Sequence, residues 1–157
     1  MKKLSCISLF IGITFFGVAQ KYSFINYSAK QGLPQSQVLD IKQDQKGYLW
    51  IATMGGLSKF DGVNFVNFGE KEGLISNRVF SLSLDKENNI WAVTKRGVSV
   101  LKNDSIVDFE FNEKLEEAEI IEIIHHRERM WIATEQKGIF CFKKKLHFTP
   151  LKSEVFF

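Results

Sequence analysis

Tryptophan recurs in this chain at Trp50, Trp91 and Trp131, at sequence spacings of 41 and 40, and each opens a similar stretch: Trp50-Ile51-Ala52-Thr53, Trp91-Ala92-Val93-Thr94 and Trp131-Ile132-Ala133-Thr134. Glycines follow in the same rhythm at Gly56, Gly97 and Gly138. Laying residues 22–62 on 63–103 gives 11 identities in 41 positions, among them Phe24 on Phe65, Gly32-Leu33 on Gly73-Leu74, Val38 on Val79, Asp44 on Asp85 and Ser58 on Ser99. In the third unit one residue is lost before Trp131 and one gained after it. A fixed period of this length means one supersecondary unit copied along the chain, each copy burying its apolar faces against its neighbours. A single irregular core is excluded, and so is whole-chain disorder.

The local pattern inside each period distinguishes a helical array from a β array. Each unit holds four short apolar or alternating runs divided by turn chemistry, as successive hairpins require. They fall at 38–43, 48–53, 57–60 and 64–68, then at 79–84, 90–94, 98–101 and 106–109, then at 120–124, 130–134, 139–142 and 146–148. Four antiparallel strands per repeat form one propeller blade. The expected fold is therefore all-β, with β-propeller blades at 38–68, 79–109 and 120–148, the last degenerate. Residues 20–37 supply an outer closing strand around Phe24 to Tyr27 and a lead-in, and 151–157 begin a further blade. Propellers typically have four to eight blades. Three make an incomplete ring, and the chain reads as an N-terminal piece of a longer propeller. Propensity alone favours a helix across 112–126. The repeat register overrides it for 120–124 and leaves a helical turn at 113–118.

Turn residues explain several of the recurrences. Asp44 precedes Gly47 in the first hairpin turn; Asp bonds the backbone two residues on, and Gly accepts the positive φ of a tight loop. Asn88 takes the glycine's place in the second unit, and Asn tolerates that backbone best after Gly. Asp44 and Asp85 recur once per repeat, which marks them as turn builders rather than catalytic carboxylates.

Residues 1–19 differ from everything that follows. Lys2 and Lys3 precede an uncharged run, 4–18, and Gly17-Val18-Ala19 ends in small residues suited to cleavage before Gln20. This is the layout of a secretory signal peptide, and it is shorter than the about 20 apolar residues of a membrane span. A periplasmic or extracellular location follows. Cys6 belongs to the signal, so Cys141 is the only cysteine of the mature chain; it lies in an apolar run and reads as a small buried residue. Net charge is +3, falling to about +1 without Lys2 and Lys3. Such a balance does not mark a nucleic-acid binder.

The segments 32–38, 44–53 and 55–62 closely resemble the two-component regulator propeller repeat, and 74–101 matches with Asn88 in place of glycine. In the third unit only 131–142 carries the likeness. The resemblance implies the exported sensor region of membrane histidine kinases and hybrid two-component systems of Bacteroidetes-type bacteria. In that family many repeats form propellers outside the inner membrane, followed by a small sandwich domain, a membrane helix and a kinase. The resemblance implies a sensor whose best-understood relatives sense glycans or their breakdown products.

Function is then expected in a ligand-binding sensor module whose partners are a carbohydrate or other small extracellular ligand and the missing blades and signalling domains. Polar groups lead into the first strands: Gln35, Ser36 and Gln37 in one unit, Ser76, Asn77 and Arg78 in the next. Gln35, Gln37, Asn77 and Arg78 are the candidate ligand contacts, because amides and guanidinium suit sugar hydroxyls and acidic saccharides. Alternatives are a propeller enzyme acting on glycans and an extracellular adhesion or scaffold propeller. A glycosidase needs two carboxylates across its substrate, and none pair outside the repeated turns. His125-His126 with Glu128 lacks the His-Glu-x-x-His spacing and reads, like His147, as ordinary structure. No phosphate loop, Cys-x-x-Cys pair or nucleophile elbow occurs, so no catalytic, metal or cofactor residue is assigned.

Overall fold

The computed structural model describes residues 23–115, 118–143 and 149–150. The signal-like segment, the expected strand at 146–148, His147 and residues 151–157 lie outside the described residues.

Three four-stranded antiparallel sheets follow one another, each a simple meander. The first comprises β1 (Val38–Gln43), β2 (Leu49–Thr53), β3 (Gly56–Phe60) and β4 (Phe65–Phe68); the second β5 (Val79–Leu84), β6 (Ile90–Thr94), β7 (Gly97–Lys102) and β8 (Ser105–Asp108); the third β9 (Ile120–His126), β10 (Arg129–Thr134), β11 (Ile139–Lys143) and β12 (Thr149–Pro150). The sheets stand side by side with β5 against β1 and β9 against β5, so the first strand of each blade is the inner one. This is the expected propeller arrangement, not closed into a ring. In place of a helix over 112–126 there is one 3-10 turn, Asn112–Leu115, and then β9. The register prevailed because Ile123 and Met130 must face the second blade, where both are buried.

The apolar content of the repeats goes between the blades. Trp50, Leu57 and Phe68 of the first blade pack with Leu74, Val79, Leu82, Ile90 and Leu101 of the second. Trp91, Val98, Val100 and Phe109 of the second pack with Ile123, Met130, Ile132 and Phe142 of the third. Leu57, Leu82, Ile90 and Ile132 are fully buried, each stabilising by about 1.5–3 kcal/mol over exposure. Phe carries much of this: Phe109, Phe111 and Phe142 form a cluster with centroids 5.1–6.2 Å apart, and Trp91 joins it at 5.3 Å from Phe109. His125 packs on Trp91 at 5.0 Å, and Glu128 pairs with Lys86 at 3.0 Å. The His-His-Glu run thus belongs to the seam between two blades.

The hairpin turns show why the spacing inside each repeat is kept. Asp44 Oδ1 accepts the backbone N–H of Lys46 and of Tyr48, at 2.8 and 3.0 Å, and Oδ2 accepts the indole N–H of Trp50 at 3.0 Å. Asp85 does the same for Glu87, Asn89 and Trp91. Gly47 and Asn88 both take positive φ, 89° and 62°, as the sequence predicts. The third blade has a shorter turn, with Arg127 at φ 54°.

Phe24 to Tyr27 aligns with β4 and is expected to close a ring against the last blade; in this open arc it adopts no strand. A fourth strand needs a third to pair with, and none among the described residues presents that edge. Phe24 is accordingly 91% exposed, while Tyr27 packs its ring on Phe60 and Phe65 at 4.9 and 5.8 Å. Cys141 is half-buried rather than buried, because strand alternation puts Phe142, not Cys141, into the seam with the second blade.

Candidate functional site

In an antiparallel meander the start of the first strand, the second-to-third turn and the end of the fourth strand share one end of the blade. Gln35, Gln37, Asn77 and Arg78 all fall at this end, ahead of β1 and β5, and all four are exposed. The same local devices build this end in successive blades.

The lead-in is held first. Ser28 caps the 3-10 turn Ala29–Gln31, its backbone N–H donating to Gln31 Oε1 at 2.9 Å, and Gly32 closes it at φ 118°. Gly69 N donates to Glu72 Oε2 at 2.7 Å one repeat later, and Gly73 closes that turn at φ 104°. Each turn is then tied to the following loop. Ser36 Oγ accepts from Ala29 N at 3.2 Å, and Asn77 Oδ1 accepts from Glu70 N at 2.8 Å while its own backbone N–H donates to Glu70 Oε1 at 3.2 Å. Asn77 is therefore committed to positioning the loop. Among the described residues the side chains of Gln35, Gln37 and Arg78 make no such bond, although the Arg78 backbone N–H donates to Ser76 Oγ at 3.4 Å.

The second-to-third turn is held by the recurrent threonine and glycine. Thr53 Oγ1 donates to Gly56 O at 2.8 Å, Thr94 to Gly97 O at 2.8 Å and Thr134 to Gly138 O at 2.7 Å. Gly56 approaches so closely that a Cβ there would lie 2.7 Å from Phe68 O. Backbone bonds join this turn to the lead-in: Met54 N to Gln37 O, Lys95 N to Arg78 O and Glu135 N to Glu119 O, at 3.4, 3.1 and 2.8 Å.

These bonds define one column across the blades with changing chemistry. It holds Gln37 and Met54 in the first blade, Arg78 and Lys95 in the second, Glu119 and Glu135 in the third. Glu135 hydrogen-bonds the Glu119 carboxyl, and that bond together with the like charge raises its pKa above the ordinary 4.5.

A second column is invisible to strand alternation alone. The inner strand carries a bulge at its start in every blade: pairing skips from Val38 to Asp40, from Val79 to Ser81 and from Ile120 to Glu122. Leu39, Phe80 and Ile121 thus have no residue opposite them and are 39%, 39% and 57% exposed. Bulges re-aim side chains, and here they display three large apolar groups beside the polar column. The signal lies in the repeat alignment, where Leu, Phe and Ile occupy equivalent positions just after the start of each inner strand.

Elsewhere, a groove of about 370 Å³ lies at the opposite end of the first blade, lined by Tyr48, Lys59, Asp61, Asn64, Val66, Phe68 and Asp104. Lys59 fills much of it, its Nζ 4.3 Å from the Tyr48 ring centroid and 2.7 Å from Asp104. Among the described residues no group of three or more His, Cys, Asp or Glu could hold a metal, and no helix is long and apolar enough to cross a membrane.

The sequence model of the family described as Two component regulator propeller matches residues 32–55 and 73–96, each running from the lead-in through the second strand to the turn after it. These two segments carry the two-component regulator propeller repeat. Solved extracellular domains superpose on the chain. The extracellular domain assigned to a hybrid two-component system from B. thetaiotaomicron aligns with 76% of this chain at a TM-score of 0.66 and 26% identity. That of a one-component system from the same bacterium aligns with 85% at a TM-score of 0.64 and 19% identity, a likeness of fold. Histidine kinase P4 of Formosa agariphila is 42% identical over 53 residues, 34% of this chain. The chain spans 18% and 19% of the two solved domains and 4% of the kinase. The matched segments contain the lead-in and the Asp–Trp hairpin, and within this chain the two columns differ from blade to blade on that shared frame.

Proposed function

We propose that this chain is part of an exported sensor propeller of a two-component signalling protein, and that the signal is passed to a kinase. Its lead-in end meets a hydroxyl-rich extracellular ligand of the kind derived from glycans, which suits amide and guanidinium side chains. The observation that supports this most is the coincidence of family repeats with an exposed end where Gln35, Gln37 and Arg78 stand above a rigidly held loop. Leu39, Phe80 and Ile121, turned outward at that same end, add apolar surface on which a sugar ring can lie.

The test uses the protein at its full natural length in its own host. Reading the frame beyond Phe157 should find further repeats, then a membrane helix and a kinase. Cells grown on single polysaccharides should show an output that appears with one of them and disappears when Gln35, Gln37 and Arg78 are replaced together by Ala. An output indifferent to every polysaccharide, or unaffected by the replacements, overturns the reading.

A further inference from the structure

Blade two differs from its neighbours at the lead-in end by carrying three cations together. Arg78 and Lys95 are joined through the Lys95 N–H to Arg78 O bond at 3.1 Å, and Arg96 is the next residue of the same turn, fixed by its N–H on Thr94 Oγ1 at 3.3 Å. All three side chains are exposed. Their equivalents are Gln37, Met54 and Gly55 in the first blade, and Glu119, Glu135 and Gln136 in the third.

Opposite charges in one column of adjacent blades would allow an ion pair across the seam, as Lys59 with Asp104 and Lys86 with Glu128 form elsewhere. None forms here among the described residues. The third blade carries Glu119 and Glu135 in this column instead, joined by the Glu135 N–H to Glu119 O bond at 2.8 Å. Among the described residues the three cations of the second blade make no ion pair, and exposed Phe80 follows Val79 at the head of the same blade's inner strand.

We propose that Arg78, Lys95 and Arg96 form an oxyanion subsite that takes the sulfate or carboxylate of a soluble saccharide ligand, with Phe80 against its apolar face and Gln37 on its hydroxyls. The subsite rests on the sensor reading and assigns it a ligand class. A guanidinium fork matches the paired oxygens of either anion, and two neighbouring cations hold the charge that a single exposed pair binds only weakly.

Isothermal titration of the intact protein tests this with a glucose sulfate ester, glucuronate and glucose, and with sodium sulfate against sodium chloride at matched ionic strength. The charged sugars should bind about tenfold or more tightly than glucose, since hydrogen bonds to charged groups exceed neutral ones by a margin of that order. Whichever of sulfate and carboxylate binds better identifies the anion. Arg78→Gln, Lys95→Gln and Arg96→Gln should each weaken the anionic sugars about threefold to fivefold and leave glucose unchanged, whereas Lys102→Gln at the other end changes nothing. Equal affinity for glucose and the charged sugars, or affinities indifferent to the three substitutions together, overturns the subsite while leaving a receptor for neutral sugars. Saturable binding of sulfate alone, lost in the triple variant, upholds the subsite and removes the saccharide reading. No binding by any anion overturns the subsite.

Discussion

The indole N–H of Trp50 donates to Asp44 Oδ2 at 3.0 Å, and one repeat later Trp91 donates to Asp85 at 3.1 Å. The carboxylate sits at the hairpin turn and the indole at the start of the next strand, so one acidic residue closes the turn and orients the aromatic group that fills the seam to the next blade. Asp44 is only 8% exposed. Replacing it with Ala orphans two backbone N–H groups and the indole N–H, and should cost about 3 kcal/mol, at the upper end for bonds to a charged group. Trp50→Phe keeps most of the ring and loses one bond, about 1–2 kcal/mol. Urea melts of the intact protein should rank the two in that order.

The three recurrent glycines are not equivalent. Alanine at Gly56 or Gly97 puts a Cβ 2.7 Å from Phe68 O or Asn112 Oδ1, at φ 147° and 137°. Gly138 has φ 71° and nothing within 4 Å of the same point. Gly138→Ala should therefore cost about 1 kcal/mol, the strain of a left-handed alanine, and Gly56→Ala clearly more. Equal shifts in denaturation midpoint would contradict the geometry.

Two carboxyl groups should titrate with opposite effect. Asp61 is held below its ordinary 3.8 by the backbone N–H groups of Asn64 and Val63; its contribution to stability is present above that value and is lost as pH falls through the lowered one. Glu135 is raised above 4.5 by Glu119. Its contribution is greatest below 4.5 and is lost as pH rises through the raised value. Asp61→Asn should flatten the acid limb of stability, and Glu135→Gln should flatten the limb just above the ordinary carboxylate range. Stability curves measured from acid to neutral pH on the two variants distinguish the groups.

The seam between the first two blades should be more sensitive to charge than the next. Lys59 is 16% exposed where it meets Asp104, whereas Lys86 and Glu128 are 62% and 65% exposed. A double-mutant cycle should give a coupling of about 1 kcal/mol for the first pair and close to zero for the second. Asp40, whose Oδ2 accepts Leu82 N from the neighbouring inner strand at 2.8 Å, adds a bond that no charge substitution elsewhere replaces.

Period, strand count and turn positions are legible in the sequence because each depends on local chemistry repeated along the chain. Gly47 and Asn88 declare their backbone, and Trp50, Trp91 and Trp131 mark the second strand. The Asp44–Trp50 bond is not legible, because a turn-forming aspartate satisfies one oxygen locally and nothing in the pattern says where the other goes. Asn77 resembles a ligand contact for a similar reason: an exposed amide beside Arg78 looks free until its bond to Glu70 is seen. Leu39, Phe80 and Ile121 are hidden by the bulge, which shifts alternation by one residue and turns a core position outward. Phe24 to Tyr27 has the right residues for a strand and no edge to join.

The unpaired bulge has an evolutionary consequence. Leu39, Phe80 and Ile121 have no residue across the ladder and are partly exposed, while the hydrogen bonds that shape each hairpin are made by Asp44, Asp85 and the threonines several residues away. Selection can rewrite these three positions, and the Gln37 and Arg78 column beside them, with little penalty in folding, so duplicated blades can diverge in what they recognise while remaining interchangeable as parts.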